Sequence, residues 1–172
     1  GGEDALEKYT PVIKALHDLI PEYPLLHWRH LHKKVRDRVR TYYENHQFGH
    51  AASEGVKIFC EIIRNLTGLT EDGAKLVDHV FGSKPFSPPP RLQINSLATE
   101  SERDIQTGQA HLSRGVIAGF RNPISHGPMD STVPAVFSEL DCLNILSLVS
   151  YLVTRLDNVK VNVSSPQHAQ ES

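Results

Sequence analysis

The chain has 172 residues, of which 39% are hydrophobic and 22% are charged, and its formal net charge is −2. This composition is typical of a globular protein with one hydrophobic core, and the length is too short for two comfortable domains. The near-neutral charge excludes a protein that coats nucleic acid non-specifically, because such proteins carry a broad basic surface, so any contact with RNA must be local.

The spacing of apolar residues predicts an all-α fold, because they recur at helical spacing in almost every segment and alternate at strand spacing in almost none. We predict helices over residues 6–20, 28–42, 48–66, 73–81, 104–121 and 133–156. Residues 1–24 are predicted to form an accessory helix, and residues 25–158 the main domain. Apolar residues thin out from residue 159, which predicts a disordered tail over residues 159–172.

A proline-rich segment separates the fourth and fifth predicted helices. Ser83–Pro90 contains four prolines. It cannot be regular helix, because proline lacks the backbone N–H and its ring clashes with the preceding turn. We therefore predict an ordered loop or a polyproline-like crossing that forms the long connection of a helical bundle.

The two cysteines, Cys60 and Cys142, both lie on apolar helical stripes. Two thiols in a chain of this size do not make a disulfide framework, which predicts buried, reduced, intracellular thiols. No run approaches the roughly 18 apolar residues of a membrane helix, and the first residues lack the pattern of a signal peptide. These observations predict a cytoplasmic protein with no membrane partner.

Residues 121–127, Arg-Asn-Pro-Ile-Ser-His-Gly, carry the strongest functional signal in the chain. Pro123 biases Asn122 away from the helical region, so the helix that enters this segment should end there. On an unbroken helix, the five-residue offset between Arg121 and His126 would splay their side chains by about 140°. A break between them lets both side chains turn into one cleft.

These residue types can cleave RNA without a metal, because the 2′-hydroxyl next to each phosphate is a built-in nucleophile. The imidazole of His126 titrates near neutral pH and suits proton transfer. The guanidinium of Arg121 matches phosphate oxygens and stabilises charge that grows in the transition state. Asn122 is predicted to orient the ribose or to hold the imidazole. The expected product is a 2′,3′-cyclic phosphate, and DNA should be spared.

A simpler interpretation is that Arg121 and His126 only cap a helix. A basic residue in a last turn interacts favourably with the helix dipole, and an imidazole can bond a nearby carbonyl. The motif alone leaves both interpretations open.

The signature R-N-x-x-x-H at the end of a hydrophobic helix, present here as GFRNPISHG, resembles that of the HEPN superfamily of small all-helical domains. The match extends to a Ymh-type branch of prokaryotic proteins. Three segments follow the order and spacing of that branch: FGHAASEGVKIFCEIIRNLTGL, LATESERDIQTGQAHLSRGVIAGFRNPISHG and LSLVSYLVTRLD. The resemblance covers residues 40–157.

The resemblance implies a bundle of about five to six helices. It also implies a metal-independent endoribonuclease that acts as a toxin or a phage-defence effector and forms a homodimer through the helices bearing Arg121 and His126. Some members of the superfamily have lost catalysis, so the alternative is a catalytically inactive module that binds RNA or a protein partner. An antitoxin, or a sensor domain upstream of Gly1, is a further expected partner.

Four residues are candidates for supporting roles. Glu102 opens the motif helix together with Glu100 and Asp104, where acidic residues are expected for dipole reasons alone, and an active-site hydrogen bond is the second interpretation. Glu54 and Lys57 interrupt the third helix near its apolar stripe, either facing the cleft or on a solvated face. Ser125 lies within the motif itself.

Basic residues form one stripe on the second predicted helix. Arg29, Lys33, Arg36 and Arg40 fall at i, i+4, i+7 and i+11. This stripe is the candidate track for an RNA backbone, although basic helix faces are often merely solvated.

No metal site or cofactor site is predicted. The histidine-rich segments offer candidate ligands at His27, His30, His32, His46 and His50. No cysteine pair or nearby acidic ligand completes a tetrahedral set with them, and the chain has no glycine-rich phosphate loop of the strand-to-helix kind.

Overall fold

The computed structural model describes Pro11, residues 28–121 and residues 138–162. The chain divides into two compact units, Gly1–His30 and Leu31–Ser172. In the first unit, Trp28–His30 form a 3-10 helical turn. The predicted helix over residues 6–20 lies outside the described residues, apart from Pro11, which is helical and exposed.

The second unit contains five described α-helices. They are α1 (Lys33–Glu44), α2 (Phe48–Thr67), α3 (Gly73–Phe81), α4 (Glu100–Val116) and α5 (Glu139–Thr154). A π-helical turn, Ile117–Arg121, continues α4. Two short strands, β1 (Leu92–Gln93) and β2 (Lys160–Val161), pair antiparallel, with Leu92 opposite Val161. The all-α prediction is confirmed.

The hydrophobic core forms around α2, which packs against α1 and α5. Fully buried side chains include Val35 and Val39 of α1, Phe59 and Ile63 of α2, Leu76 and Phe81 of α3, and Leu146 and Leu152 of α5. Burying one such aliphatic or aromatic side chain contributes about 1.5–3 kcal/mol to folding. The core therefore fixes α3 and α5, against which the motif helix α4 packs.

Glycine allows the close approach of α2 and α5. A Cβ atom placed on Gly55 would lie 2.6 Å from Cδ2 of Leu146. Leu146 is fully buried, so its side chain has little room to move away. Glycine is therefore required at position 55, where α2 packs against α5.

Both cysteines are buried, as predicted, and neither forms a disulfide in the structure. Cys142 lies on α5, and burial together with the charge of Glu139 raises the pKa of its thiol to about 12. The thiol is therefore protonated at neutral pH and acts as a small apolar side chain.

The connection between α3 and α4 contains no helix, as the four prolines predict. The side chain of Gln106, on α4, fixes this connection by hydrogen bonds to its backbone. Its Nε2 donates to the carbonyl oxygens of Phe81 (3.0 Å) and Leu92 (2.9 Å), and its Oε1 accepts from the backbone N–H of Ile94 (3.0 Å). One fully buried amide thus satisfies three backbone groups of the connection.

The predicted boundaries at the start of α1 and at the C-terminal tail differ from the structure. The helix predicted from Trp28 begins at Lys33, because the side chain of His32 caps it by accepting from Lys34 N (3.2 Å). The predicted disordered tail is wrong for its first residues. Lys160 and Val161 form β2, and the side-chain amide of Asn162 donates to the Pro90 carbonyl (2.8 Å).

Candidate functional site

The helix that leads into the motif begins at a capping box. Thr99 Oγ1 accepts from the backbone N–H of Glu102 (3.2 Å), and Glu102 Oε2 accepts from the N–H groups of Thr99 (3.0 Å) and Ala98 (2.9 Å). The Ser96 hydroxyl donates to the same oxygen (2.8 Å). The Ser96 hydrogen bond, followed by that of Thr99, lowers the pKa of Glu102, so its carboxylate stays charged near the positive end of the helix.

Glu102 lies at the opposite end of this helix from the motif. Nineteen residues separate Glu102 from Arg121, which corresponds to about 28 Å at the helical rise. The hydrogen bonds that Glu102 makes are those of a helix start. The helix-start interpretation of this residue is confirmed.

The π-helical turn Ile117–Arg121 directly precedes Asn122 and Pro123. Such turns widen an α-helix locally and occur frequently at functional sites. Ile117 is buried, which fixes the start of the turn against the core, and the turn packs against α2 and α3. The motif helix is thus confirmed as far as Arg121. Asn122, Ser125 and His126 lie outside the described residues.

Polar contacts fix α4 to its neighbours along its length. Besides Gln106, the buried Gln109 donates through Nε2 to the Leu152 carbonyl of α5 (3.3 Å). Arg114 forms an ion pair with Asp78 of α3. The scaffold that presents Arg121 is therefore held by contacts to both α3 and α5.

Glu54 and Lys57 belong to an ion-pair network between α1 and α2. Glu54 accepts from Arg38 Nε (2.8 Å) and from Lys57 Nζ (2.9 Å), and Arg38 also donates to Glu61 (3.0 Å). Burial raises the pKa of Glu54, but the hydrogen bonds from Lys57 and Arg38 outweigh that effect and leave the pKa lowered. The carboxylate is therefore ionised and engaged by two cations. Sequence reasoning missed Arg38, whose partner is 16 residues away.

The predicted basic stripe is divided in the structure. Arg29 belongs to the 3-10 turn, whereas α1 begins only at Lys33. Lys33 pairs with Asp37, Arg36 is half-buried and Arg40 is exposed. The Lys33 hydrogen bond, followed by the charges of Lys33, Arg36 and Arg40, lowers the pKa of Asp37. One continuous basic track on a single helix is therefore wrong, because an ionised Asp37 lies within it and Arg29 lies outside the helix.

A cluster of rings surrounds the turn between α1 and α2, and sequence reasoning did not identify it. Tyr42 and His50 stack with centroids 5.8 Å apart and planes at 22°. Phe48 meets Tyr43 edge-on at 5.5 Å and His46 at 5.7 Å. The signal was present as five rings within nine positions. We call Tyr42, Tyr43, His46, Phe48 and His50 the ring cluster.

Tyr43 links the ring cluster to the first turn of α5. Its hydroxyl donates to Glu139 Oε1 (2.5 Å). Burial, followed by this hydrogen bond, raises the pKa of Tyr43, so the phenol remains protonated and able to donate. Ser138 and Asp141 form a capping box at the same helix start. The described chain resumes at this point after the segment that carries the motif.

Histidines in the described part of the chain contact acidic or aromatic side chains. His32 contacts Asp157 (3.1 Å), His79 contacts Glu71 (3.1 Å), and His50 stacks on Tyr42. Within residues 28–121 and 138–162, no group of three or more His, Cys, Asp or Glu side chains is placed to bind a metal ion. His27 lies outside the described residues.

A family model described as "Protein of unknown function (Hypoth_ymh)" matches residues 29–156. The chain belongs to this family. The matched range contains α1 to α5 and the whole of the Arg121–Gly127 segment. No curated protein and no solved structure matches the chain.

No helix among the described residues combines the length and the apolar character needed to cross a membrane.

Proposed function

We propose that this Ymh-family chain is a metal-independent endoribonuclease of the HEPN type, acting as a toxin or phage-defence effector. The observation that carries the proposal is the π-helical turn ending at Arg121, directly before the Asn122, Pro123 and His126 positions of the motif. A helix fastened by a capping box and by Gln106 leads into this turn. Rigid scaffolds with a local irregularity at the reacting residues are typical of active sites.

The proposed reaction uses the RNA's own nucleophile. His126 removes the 2′-hydroxyl proton, the 2′-oxygen forms a bond to phosphorus, and the bond from phosphorus to the 5′-oxygen breaks as that oxygen receives a proton. Arg121 stabilises the charge on the pentacoordinate phosphorus, and Asn122 orients the ribose or the imidazole. The products are a 2′,3′-cyclic phosphate and a 5′-hydroxyl.

The motif of each chain contains one histidine, His126, whereas the reaction needs both a base and an acid. The proposal therefore includes a homodimer. In a twofold dimer whose motif helices face each other, the composite cleft contains two copies of His126 and two of Arg121. One imidazole then acts as the base and the other as the acid.

The outer face of α4 supports this dimer. Ile105 and Leu112 are 39% and 42% exposed, and a Cβ atom at Gly108, Gly115 or Gly119 would have nothing within 4 Å. Ile105, Gly108, Leu112 and Gly115 fall at i, i+3, i+7 and i+10 on α4, which is the spacing of a helix–helix seam, and Gly119 lies in the π-helical turn that continues it. The two last glycines permit the closest backbone approach just before Arg121. A twofold axis near Gly119 would therefore bring the two motifs together.

Leu112→Glu should convert the dimer to a monomer, because it places two like charges in the seam, and it should reduce cleavage with it. The measurement is sedimentation equilibrium at micromolar concentration. Leu140→Glu is the matched control, since Leu140 is 52% exposed on α5 and lies outside the seam. A wild-type monomer, or a dimer that survives Leu112→Glu, would contradict this interface.

The ribonuclease proposal is tested by incubating single-stranded RNA with the purified chain in EDTA. We expect cleavage without any divalent ion. A strict requirement for an added divalent ion would overturn the metal-independent reaction.

A further inference from the structure

The ring cluster is a surface feature with fixed geometry. His46 is exposed, and Tyr42, Tyr43, Phe48 and His50 are half-buried, whereas Phe59 and Phe81 in the core are fully buried. The rings orient one another through one stacked and two edge-on contacts. Rings whose positions are already fixed lose little conformational entropy when a ligand ring stacks on one of them.

The ring cluster is also fastened to the part of the chain that follows the motif. The bond from Tyr43 to Glu139 joins it to the first turn of α5, and Glu139 is the thirteenth residue after His126. A substrate held by the rings would thus lie on elements that are joined directly to the first turn of α5.

We propose that the ring cluster is a stacking platform for the unpaired bases of a single-stranded RNA. This inference rests on the proposed ribonuclease function and names a contact for its substrate. Aromatic and imidazole rings accept any base through its π-face, so the platform tolerates many sequences and requires bases that are not paired in a duplex.

The charges around the ring cluster favour stacking over phosphate attraction as the main source of affinity. Arg36 and Arg40 precede Tyr43 on one helical face, at i−7 and i−3, and supply cations for the backbone. Glu44 and Glu139 place carboxylates beside the same turn. The platform therefore suits a few bases with one or two phosphate contacts rather than a long polyanion.

The test measures binding of a fluorescein-labelled, single-stranded 2′-O-methyl RNA of about twelve nucleotides, within the range that such sites span. The methyl group blocks the 2′-oxygen, so the result does not depend on cleavage. The variants are His46→Asn, which suits the left-handed backbone at this position (φ 56°), and Phe48→Leu. Tyr151→Leu is the matched control, since Tyr151 is 47% exposed on α5 and lies outside the ring cluster.

We expect His46→Asn and Phe48→Leu each to weaken binding about fivefold or more, in line with the loss of one base stack, and Tyr151→Leu to bind as the wild type does. Equal affinity of all four proteins, or no binding by the wild type, would overturn the platform. His46 is exposed, so its variant decides the test even if Phe48→Leu does not fold. Binding that depends on the rings, without cleavage of ordinary RNA, would overturn the ribonuclease proposal and support the platform. Cleavage of RNA without ring-dependent binding would overturn the platform and support the ribonuclease.

Discussion

Replacing His126 by alanine should lower the rate of RNA cleavage by about 100- to 10,000-fold, because the reaction loses its proton-transfer group. Arg121→Ala should cause a loss of similar size by removing the cation that stabilises the transition state, and the conservative Arg121→Lys should restore only part of the rate, since an ammonium lacks the planar fork of donors. The measurement is single-turnover cleavage of a defined RNA.

His79→Ala is the matched control for His126→Ala. His79 contacts Glu71 on the surface of α3 and lies outside the motif, so its removal should leave the rate unchanged. Circular dichroism should show the same helical content for all variants. Cleavage by His126→Ala at the wild-type rate would contradict the proposed role of this histidine and favour the interpretation that it only caps a helix.

Replacing Gln106 by leucine should destabilise the fold by about 3 kcal/mol or more. The substitution leaves two carbonyls and one N–H of the connection between α3 and α4 without their partner, and each buried unsatisfied group costs about 1–3 kcal/mol. The measurement is the free energy of unfolding in urea.

Gln109→Leu provides the comparison for Gln106→Leu. Gln109 is also buried on α4, but it makes one long hydrogen bond, to the Leu152 carbonyl (3.3 Å), and its Oε1 has no partner. We expect a loss of about 1 kcal/mol or less, because removing an unsatisfied buried oxygen offsets part of the cost. Equal destabilisation by the two substitutions would show that side-chain volume, and not the hydrogen bonds of Gln106, governs this region.

Local patterns were sufficient to predict much of the fold. The helix predicted over residues 73–81 coincides with α3, and that over 48–66 differs from α2 by one residue, because Gly68 adopts φ 70° and ends it. The motif helix begins at Glu100, four residues earlier than predicted. Its start was readable as a threonine followed three residues later by a glutamate, the capping-box pattern of Thr99 and Glu102.

Contacts between distant segments could not be predicted from local patterns. β1 and β2 pair across almost 70 residues, and each is only two residues long, so neither leaves an alternating pattern in the sequence. The glycines of α4 and of the π-helical turn were not singled out, because glycine weakens a helix and only the structure shows the open space around Gly108, Gly115 and Gly119.

The candidate site was predictable in part. Proline chemistry identified the region where the motif helix should end, and the described helix reaches Arg121. The role of Glu54 depended on its partner Arg38, which is 16 residues away in the sequence and becomes visible only in three dimensions. The relation of Asn122 and His126 to Arg121 remains a prediction from the sequence, and the rate measurements on their variants bear on it directly.

In the proposed reaction, the 2′-hydroxyl of RNA is the nucleophile and no metal takes part. The most direct measurement is cleavage in EDTA of an oligonucleotide with one mapped cut, next to a twin with a single 2′-deoxyribose at the cut position. We expect the wild-type chain to cut the first to a 2′,3′-cyclic phosphate and to leave the twin intact at that position. Cutting of the twin at the same bond, or products ending in 5′-phosphate, would show that the 2′-hydroxyl is not the nucleophile.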